Sequence, residues 1–188
     1  MQPKTQYMER FIMQDLIAWK NREDRKPLIL LGARQVGKTY ILKEFGQREF
    51  ENVAYINCDN NAMAKDLFAS DYNIDRILLT IGAITGVNIE AGKTLIIMDE
   101  IQELHRGLAS LKYFCENARE YHVAVAGSLL GLSLHHGESY PVGKVNTLEM
   151  YPMTFEEFLW ARGFKQRMDL LQHGMWDVVK SLRTLYIQ

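Results

Sequence analysis

The chain reads as an α/β protein, a mostly parallel sheet between two layers of helices, and three observations predict it. Residues 28–31, 94–98 and 123–127 are short, uninterrupted apolar runs of the kind that form strands buried on both faces. Segments with helical spacing alternate with them, which favours right-handed crossovers and parallel pairing. A hydrophobic content of 47% over 188 residues is ample for one globular core.

Taken in order, the pattern predicts a helix over about 5–20 and, after Pro27, a strand over 28–31. A glycine loop at 32–39 leads into helical spacing over 40–45, and a strand over 53–56 follows. Helices are expected over 62–69 and 73–85, a strand over 94–98, and a helix over 104–119. Strands over 123–127 and 145–150 complete the sheet, and helices dominate the tail. Neither internal repeats nor low-complexity tracts interrupt this alternation. The expected division is a domain over 1–163 and a helical tail over 164–188. That tail is apolar over a wide face, with Trp176, Val179, Leu182 and Leu185 on it. It packs on the core, on a missing C-terminal domain or on another subunit of a homo-oligomer.

The segment GARQVGKT, residues 32–39, fits the pattern Gly, four residues, Gly, Lys, Ser/Thr, and lies between the first strand and a helix as a phosphate-binding loop must. Gly32 and Gly37 let the backbone approach an anion closely, so the amides from about Gln35 to Thr39 point inward at the positive end of the following helix. The expected nucleotide contacts are Gly32, Ala33, Arg34, Gln35, Val36, Gly37, Lys38, Thr39 and Tyr40. Lys38 reaches the β- and γ-phosphates as a catalytic cation, and the Thr39 hydroxyl holds Mg2+. A plain glycine turn before a helix is the alternative reading of the eight residues.

Hydrolysis needs a second acidic site. Asp99 and Glu100 emerge at the C-terminal end of the strand over 94–98, the edge at which open α/β sheets bind ligands. Asp99 is the expected partner of the metal, and Glu100 the base that polarises water for attack on the γ-phosphate. The plainer reading is that the pair caps a helix starting near Glu103. Ser128, at the exit of the strand over 123–127, is placed to hydrogen-bond the attacking water or the γ-phosphate and report which nucleotide is bound. A serine after glycine is also ordinary loop sequence.

These segments resemble the prokaryotic AAA-type ATPases that join a P-loop ATPase to a C-terminal nuclease-like domain. The match is carried by GARQVGKT, by LIIMDEIQ over 95–102, by AVAGSLLG over 124–131 and by VGKVNTLEMYPMTFEEFL over 142–159. It runs from about Tyr7 to about Gly163. The resemblance implies ATP, rather than GTP, as ligand, a P-loop NTPase fold with Walker A and Walker B motifs, and a segment around Tyr7, Arg10 and Phe11 that closes over the base. Two departures stand out. Lys144 occupies the place of an arginine and lacks the planar fork for a bidentate phosphate contact. The chain also stops at Gln188, short of the C-terminal domain, and so reads as a fragment.

Composition narrows the rest. The net charge is −1, which gives no overall footprint for nucleic acid while leaving room for a local patch. The one basic concentration, Lys20, Arg22, Arg25 and Lys26, is interleaved with Glu23 and Asp24 and reads as a solvated link. Cys58 and Cys115 have no paired spacing, which argues against a disulfide framework or zinc site and fits a reducing cytoplasm. No apolar run reaches membrane-spanning length, and the first ten residues lack a signal core. His135, His136 and Glu138 lack a third partner at metal-ligand spacing. They fall in a Gly-, Ser- and His-rich stretch over 130–143 that reads as a mobile loop.

The expected activity is Mg-dependent ATP hydrolysis. The competing class is a nucleotide-gated binding module with little or no hydrolysis; a stabilising arginine separates the two, and Arg106, Arg119 and Arg162 are its candidates.

Overall fold

The structure, a computed structural model, describes residues 9–59, 61–65, 67–68, 71–104, 106–128 and 140–163. The chain forms two compact units, Ile12–Tyr151 and a smaller one made of Met1–Phe11 with Pro152–Gln188.

The larger unit runs α1 (Ile12–Lys20), β1 (Leu28–Gly32), α2 (Lys38–Glu49), β2 (Asn52–Asn57), α3 (Ala62–Lys65), α4 (Ile74–Thr85), β3 (Thr94–Asp99), a 3-10 turn (Ile101–Glu103), α5 (Gly107–Asn117), β4 (His122–Ser128) and β5 (Asn146–Met150). The described strands form a five-stranded sheet in the order β2-β3-β4-β1-β5. Every pairing is parallel. The expectation of a mostly parallel sheet is met in full.

Side-chain alternation along the strands sorts the core into two layers. Leu28, Leu30, Leu95, Ile97, Ala124 and Ala126 face one cluster with Leu16 and Trp19 of α1 and Ile41, Leu42 and Phe45 of α2. Ile29, Ile56, Ile96, Met98, Val123 and Val125 face the other, with Ile77 and Ile81 of α4 and Leu111 and Phe114 of α5. Continuous apolar strands are therefore read correctly as buried on both sides. Helix α2 lies close on the sheet at Gly46, where an added Cβ would stand 2.6 Å from Val53 Cγ2.

Three helices differ from the sequence expectation. The first begins at Ile12 rather than near residue 5; Glu9 and Arg10 are not helical, and residues 1–8 lie outside the described part. Helix α3 ends at Lys65, with Leu67 and Phe68 in a turn. The helix expected over 104–119 forms as α5 but starts late, at Gly107, because Arg106 takes a left-handed φ of 65° that no α-helix can contain. A 3-10 turn precedes that residue.

The basic cluster does form a link between α1 and β1, its charges bonded locally. Lys20 pairs with Glu49 at 3.1 Å and Arg22 with Asp24 at 2.9 Å. Arg25 donates to the Lys20 carbonyl at 3.4 Å and Lys26 to the Gly143 carbonyl at 2.7 Å.

The smaller unit contains α6 (Phe155–Ala161), opened by a capping box in which the Thr154 side chain accepts from the Glu157 amide at 3.2 Å and Glu157 accepts from the Thr154 amide at 2.8 Å. Glu157 also accepts from the Phe11 amide at 2.9 Å and pairs with Arg10 at 3.0 Å. Burial raises the Glu157 carboxyl, but the two amides and Arg10 outweigh it and hold the carboxyl below its ordinary range. Phe11 packs edge-on against Trp160 at 4.8 Å. Arg10 and Phe11 are thus tied within their own unit; Tyr7 and the tail over 164–188 lie outside the described residues.

His122 opens β4 inside an aromatic setting, with its ring 4.8 Å from Phe50 and 6.0 Å from Trp19. Burial, the Arg25 charge and, to a lesser extent, Lys20 push its pKa down to about 4, against the Lys20 backbone hydrogen bond. The unfolded chain therefore binds a proton from which the folded chain is protected between about pH 6.5 and 4, so stability falls as pH drops through that window. The expected outcome is that His122→Leu flattens the acid side of a urea-unfolding series. The difference in slope should remove roughly 2–3 kcal/mol of pH dependence between pH 7 and pH 4.

Candidate functional site

Parallel register brings the ends of three strands to one edge. Gly32 of β1 pairs with Ser128 of β4, and Asp99 of β3 pairs with Ala126 of β4. The phosphate loop, the acidic pair and Ser128 therefore exit the sheet on the same side, and β4 lies between the other two strands as the sensor reading requires.

The loop leaves β1 at a crowded point. A Cβ on Gly32 would sit 2.4 Å from the Met150 carbonyl oxygen of β5, so only glycine fits without moving the strand. Gln35 at φ 63° and Gly37 at φ 98° take left-handed backbone, the conformation from which loop amides can converge on an anion. Helix α2 then begins at Lys38 with no side-chain cap on its first turn; its first helical bond is Ile41 N–H to the Gly37 carbonyl at 3.0 Å. Amides at the positive end of α2 are the donors an anionic ligand needs.

Lys38 is buried, and its ammonium donates to the Gly32 and Ala33 carbonyls at 3.0 and 2.8 Å, which ties the loop to its own base. Burial lowers its pKa, Glu100 and Asp99 oppose that, and Arg34 adds to the lowering; the net is below ordinary lysine. Across the loop, Thr39 Oγ1 donates to Asp99 Oδ2 at 2.5 Å, joining the start of α2 to the end of β3.

Sequence reasoning missed a second partner of Asp99. Tyr55 of β2 donates its hydroxyl to the same Oδ2 at 3.3 Å, under the Lys43 ammonium 3.4 Å from its ring centre. Burial first, then the Asp99 charge, pushes the Tyr55 pKa up to about 12, so it remains a donor. Period-two alternation does place Tyr55 on the sheet face shared with Asp99, but only once the Asn57–Asp99 pairing is known. Cys58 beside them is fully buried, its thiol pushed up to about 12 by burial and then by the carboxylates, and is inert as a nucleophile.

Glu100 adopts φ 53° and makes no side-chain capping bond to the turn that follows. It does occupy the N-cap position of that turn. Arg34, Gln35, Gly37, Lys38, Thr39, Tyr40, Asp99 and Glu100 line one open cavity of roughly 550 Å3, together with Asp59 and Glu103, which the sequence reading did not single out. That volume suits a small organic phosphate.

Other candidates lie elsewhere. Lys144 pairs with Glu116 at 2.8 Å just before β5 starts, at the sheet edge opposite the phosphate loop. Arg119, before β4, is at that same far edge and donates to the Cys115 carbonyl at 2.7 Å. Arg106 donates to the Tyr72 hydroxyl at 3.0 Å and stacks over that ring. Arg162 belongs to the smaller unit. His135, His136, Glu138 and most of the 130–143 loop are outside the described residues, as is the Ser128 side chain. Among the described residues no cluster of three His, Cys, Asp or Glu could hold a metal by itself, and no helix is long and apolar enough to cross a membrane.

A parallel sheet in this strand order, with a lysine-bearing glycine loop opening one helix and an acidic pair closing the strand two places away, defines a P-loop nucleotide-binding module. Residues 24–159 match the family described as the AAA domain, and the chain belongs to that family of AAA-type P-loop ATPase domains. No curated protein matches the chain. Among solved structures it is similar to the Orc1 protein of Aeropyrum pernix in complex with DNA, at 14% identity and a TM-score of 0.50, over 82% of this chain and 47% of that one. The chain thus spans about half the length of that neighbour, and at this identity the likeness speaks for the fold.

The crowding at Gly32 makes a binding prediction. Gly32→Ala should displace either β5 or the mouth of the loop, at a cost of about 1–3 kcal/mol in stability. Calorimetric titration with ATP should show at least a tenfold weaker affinity than wild type, alongside a lower Tm.

Proposed function

We propose that this domain binds Mg-ATP in the cavity at the loop and hydrolyses it. The observation that carries the reading is the 2.5 Å hydrogen bond between Thr39 and Asp99, which brings together, at the lip of the glycine loop, the two oxygens that would hold magnesium. The donor set suits the ion: magnesium in nucleotide sites takes one or two protein oxygens and completes its shell with phosphates and water, so a dedicated cluster of carboxylates is not needed. Bound magnesium would spread the phosphate charge.

The chain's own residues supply the rest. Loop amides from Gln35 to Thr39 hold the phosphate chain, with Gly32, Ala33, Arg34, Val36 and Tyr40 forming the surrounding contacts. Lys38 neutralises the β- and γ-oxygens, exchanging its loop carbonyls for phosphate. Glu100 accepts a proton from water as the water oxygen bonds to the γ-phosphorus and the bond from that phosphorus to the β,γ-bridging oxygen breaks, leaving ADP and phosphate. Ser128 senses the γ-phosphate from β4. The pairing of a base beside Asp99 favours water over another acceptor.

The wider setting is carried as part of the same proposal: a prokaryotic ATPase that works beside a C-terminal nuclease-like domain or in a homo-oligomer. The solved neighbour is in complex with DNA; the net charge of −1 gives this chain no broad electrostatic footprint for nucleic acid.

Phosphate release from the purified chain, measured beside Glu100→Gln with ATP binding followed by calorimetry, tests the reading. Turnover should fall about 10²- to 10⁴-fold in the variant while ATP affinity is retained. Tight binding without turnover in both proteins would instead indicate a nucleotide-gated switch, and no binding in either would end the P-loop interpretation.

A further inference from the structure

We infer that Gln102 is a positioning residue for Glu100, holding its carboxylate in the orientation from which it takes the proton of the attacking water. This rests on the reading of Glu100 as the base. The side-chain amide Nε2 of Gln102 donates to Glu100 Oε2, two residues back along the chain. Such proximity is not a given at this spacing. It arises because Glu100 turns through the left-handed region, φ 53° and ψ 46°, and the chain then winds through the 3-10 turn. The turn is closed by Glu103 N–H to the Glu100 carbonyl at 2.9 Å and Leu104 N–H to the Ile101 carbonyl at 3.1 Å.

The platform beneath Gln102 is rigid. Ile101 and Leu104 on either side of the turn are 0% and 1% exposed and belong to the core cluster under the sheet. The start of α5 presses on the same turn, for a Cβ on Gly107 would meet the Ile101 carbonyl oxygen at 2.9 Å. Gln102 itself is 8% exposed, and its Oε1 is buried with no hydrogen-bond partner among the described residues. A buried amide with half its bonding capacity unmet costs stability that an apolar side chain of the same shape would not. What the amide does in this position is grip the carboxylate.

Chemically, the grip divides the work of the two carboxylate oxygens. Oε2 is tied to Gln102, which leaves Oε1 to face the water. A free glutamate samples several rotamers, and only a small share of them place an oxygen on the water's proton; tying one oxygen removes most of the unproductive ones before substrate arrives. The acidic residue Asp99 is held in the same manner by Thr39 and Tyr55. Both carboxylates at the end of β3 thus have neighbours that fix their direction.

The test uses the full chain. Gln102→Met keeps length and apolar bulk while deleting the donor; Gln102→Glu keeps shape but sets a second carboxylate against the first. Single-turnover hydrolysis and calorimetric ATP binding are measured for both, alone and on a Glu100→Gln background. The expected result is a kcat lowered about 10²-fold in each single variant with ATP Kd within twofold of wild type. On the Glu100→Gln background neither substitution should lower the residual rate further, because the group being positioned is already gone. A wild-type kcat in either folded variant overturns the inference. So does a loss that recurs in full on the Glu100→Gln background, or one that tracks weaker ATP binding, since each marks a general structural role. If instead wild type and Glu100→Gln turn over alike, the reading of Glu100 as base fails and the inference falls with it.

Discussion

The constraint on which the whole arrangement depends is the parallel register of β1, β4 and β3. Parallel pairing sends every strand end that carries chemistry to one edge, and no side-chain interaction could substitute for it. Once Gly32 pairs with Ser128 and Asp99 with Ala126, the phosphate loop and the acidic pair stand within reach of each other across a single intervening strand. The short bond from Thr39 to Asp99 then closes the gap between them. The strands can hold this register because they are apolar on both sides, and the two core clusters clamp the sheet between α1 and α2 on one face and α4 and α5 on the other.

Polar groups around the site follow a consistent logic. Lys38, Asp99 and Glu100 are each fixed by neutral partners. Lys38 is held by carbonyls of its own loop, Asp99 by hydroxyls from α2 and β2, and Glu100 by an amide from the turn after β3. Preorganisation of this type spends folding free energy in advance, so that little reorganisation is left for the moment of reaction.

Much of this was legible in the residues. The strands announce themselves as apolar runs, and the loop pattern carries its own mechanism, so Gly32 through Thr39, Asp99 and Glu100 could be named before any coordinates. What was hidden depended on geometry that sequence order does not carry. Tyr55 becomes a partner of Asp99 only through the β2–β3 register, and Asp59 and Glu103 reach the cavity only because the strand ends and the turn meet there. Gln102 becomes a partner of Glu100 only because Glu100 adopts a left-handed conformation that a glutamate seldom takes. The helix expected over 104–119 is present from Gly107 to Asn117; its start is later than expected because the backbone turns left-handed at Arg106.

Gly32 also links the phosphate loop to the end of the sheet's edge strand. A side chain there would run into the Met150 carbonyl oxygen, so β5 closes off the space beside the root of the phosphate loop. Met150 is also the last residue of β5, one step before the chain leaves the larger unit at Tyr151. The strand residue that crowds the root of the phosphate loop is thus next to the last residue of its unit.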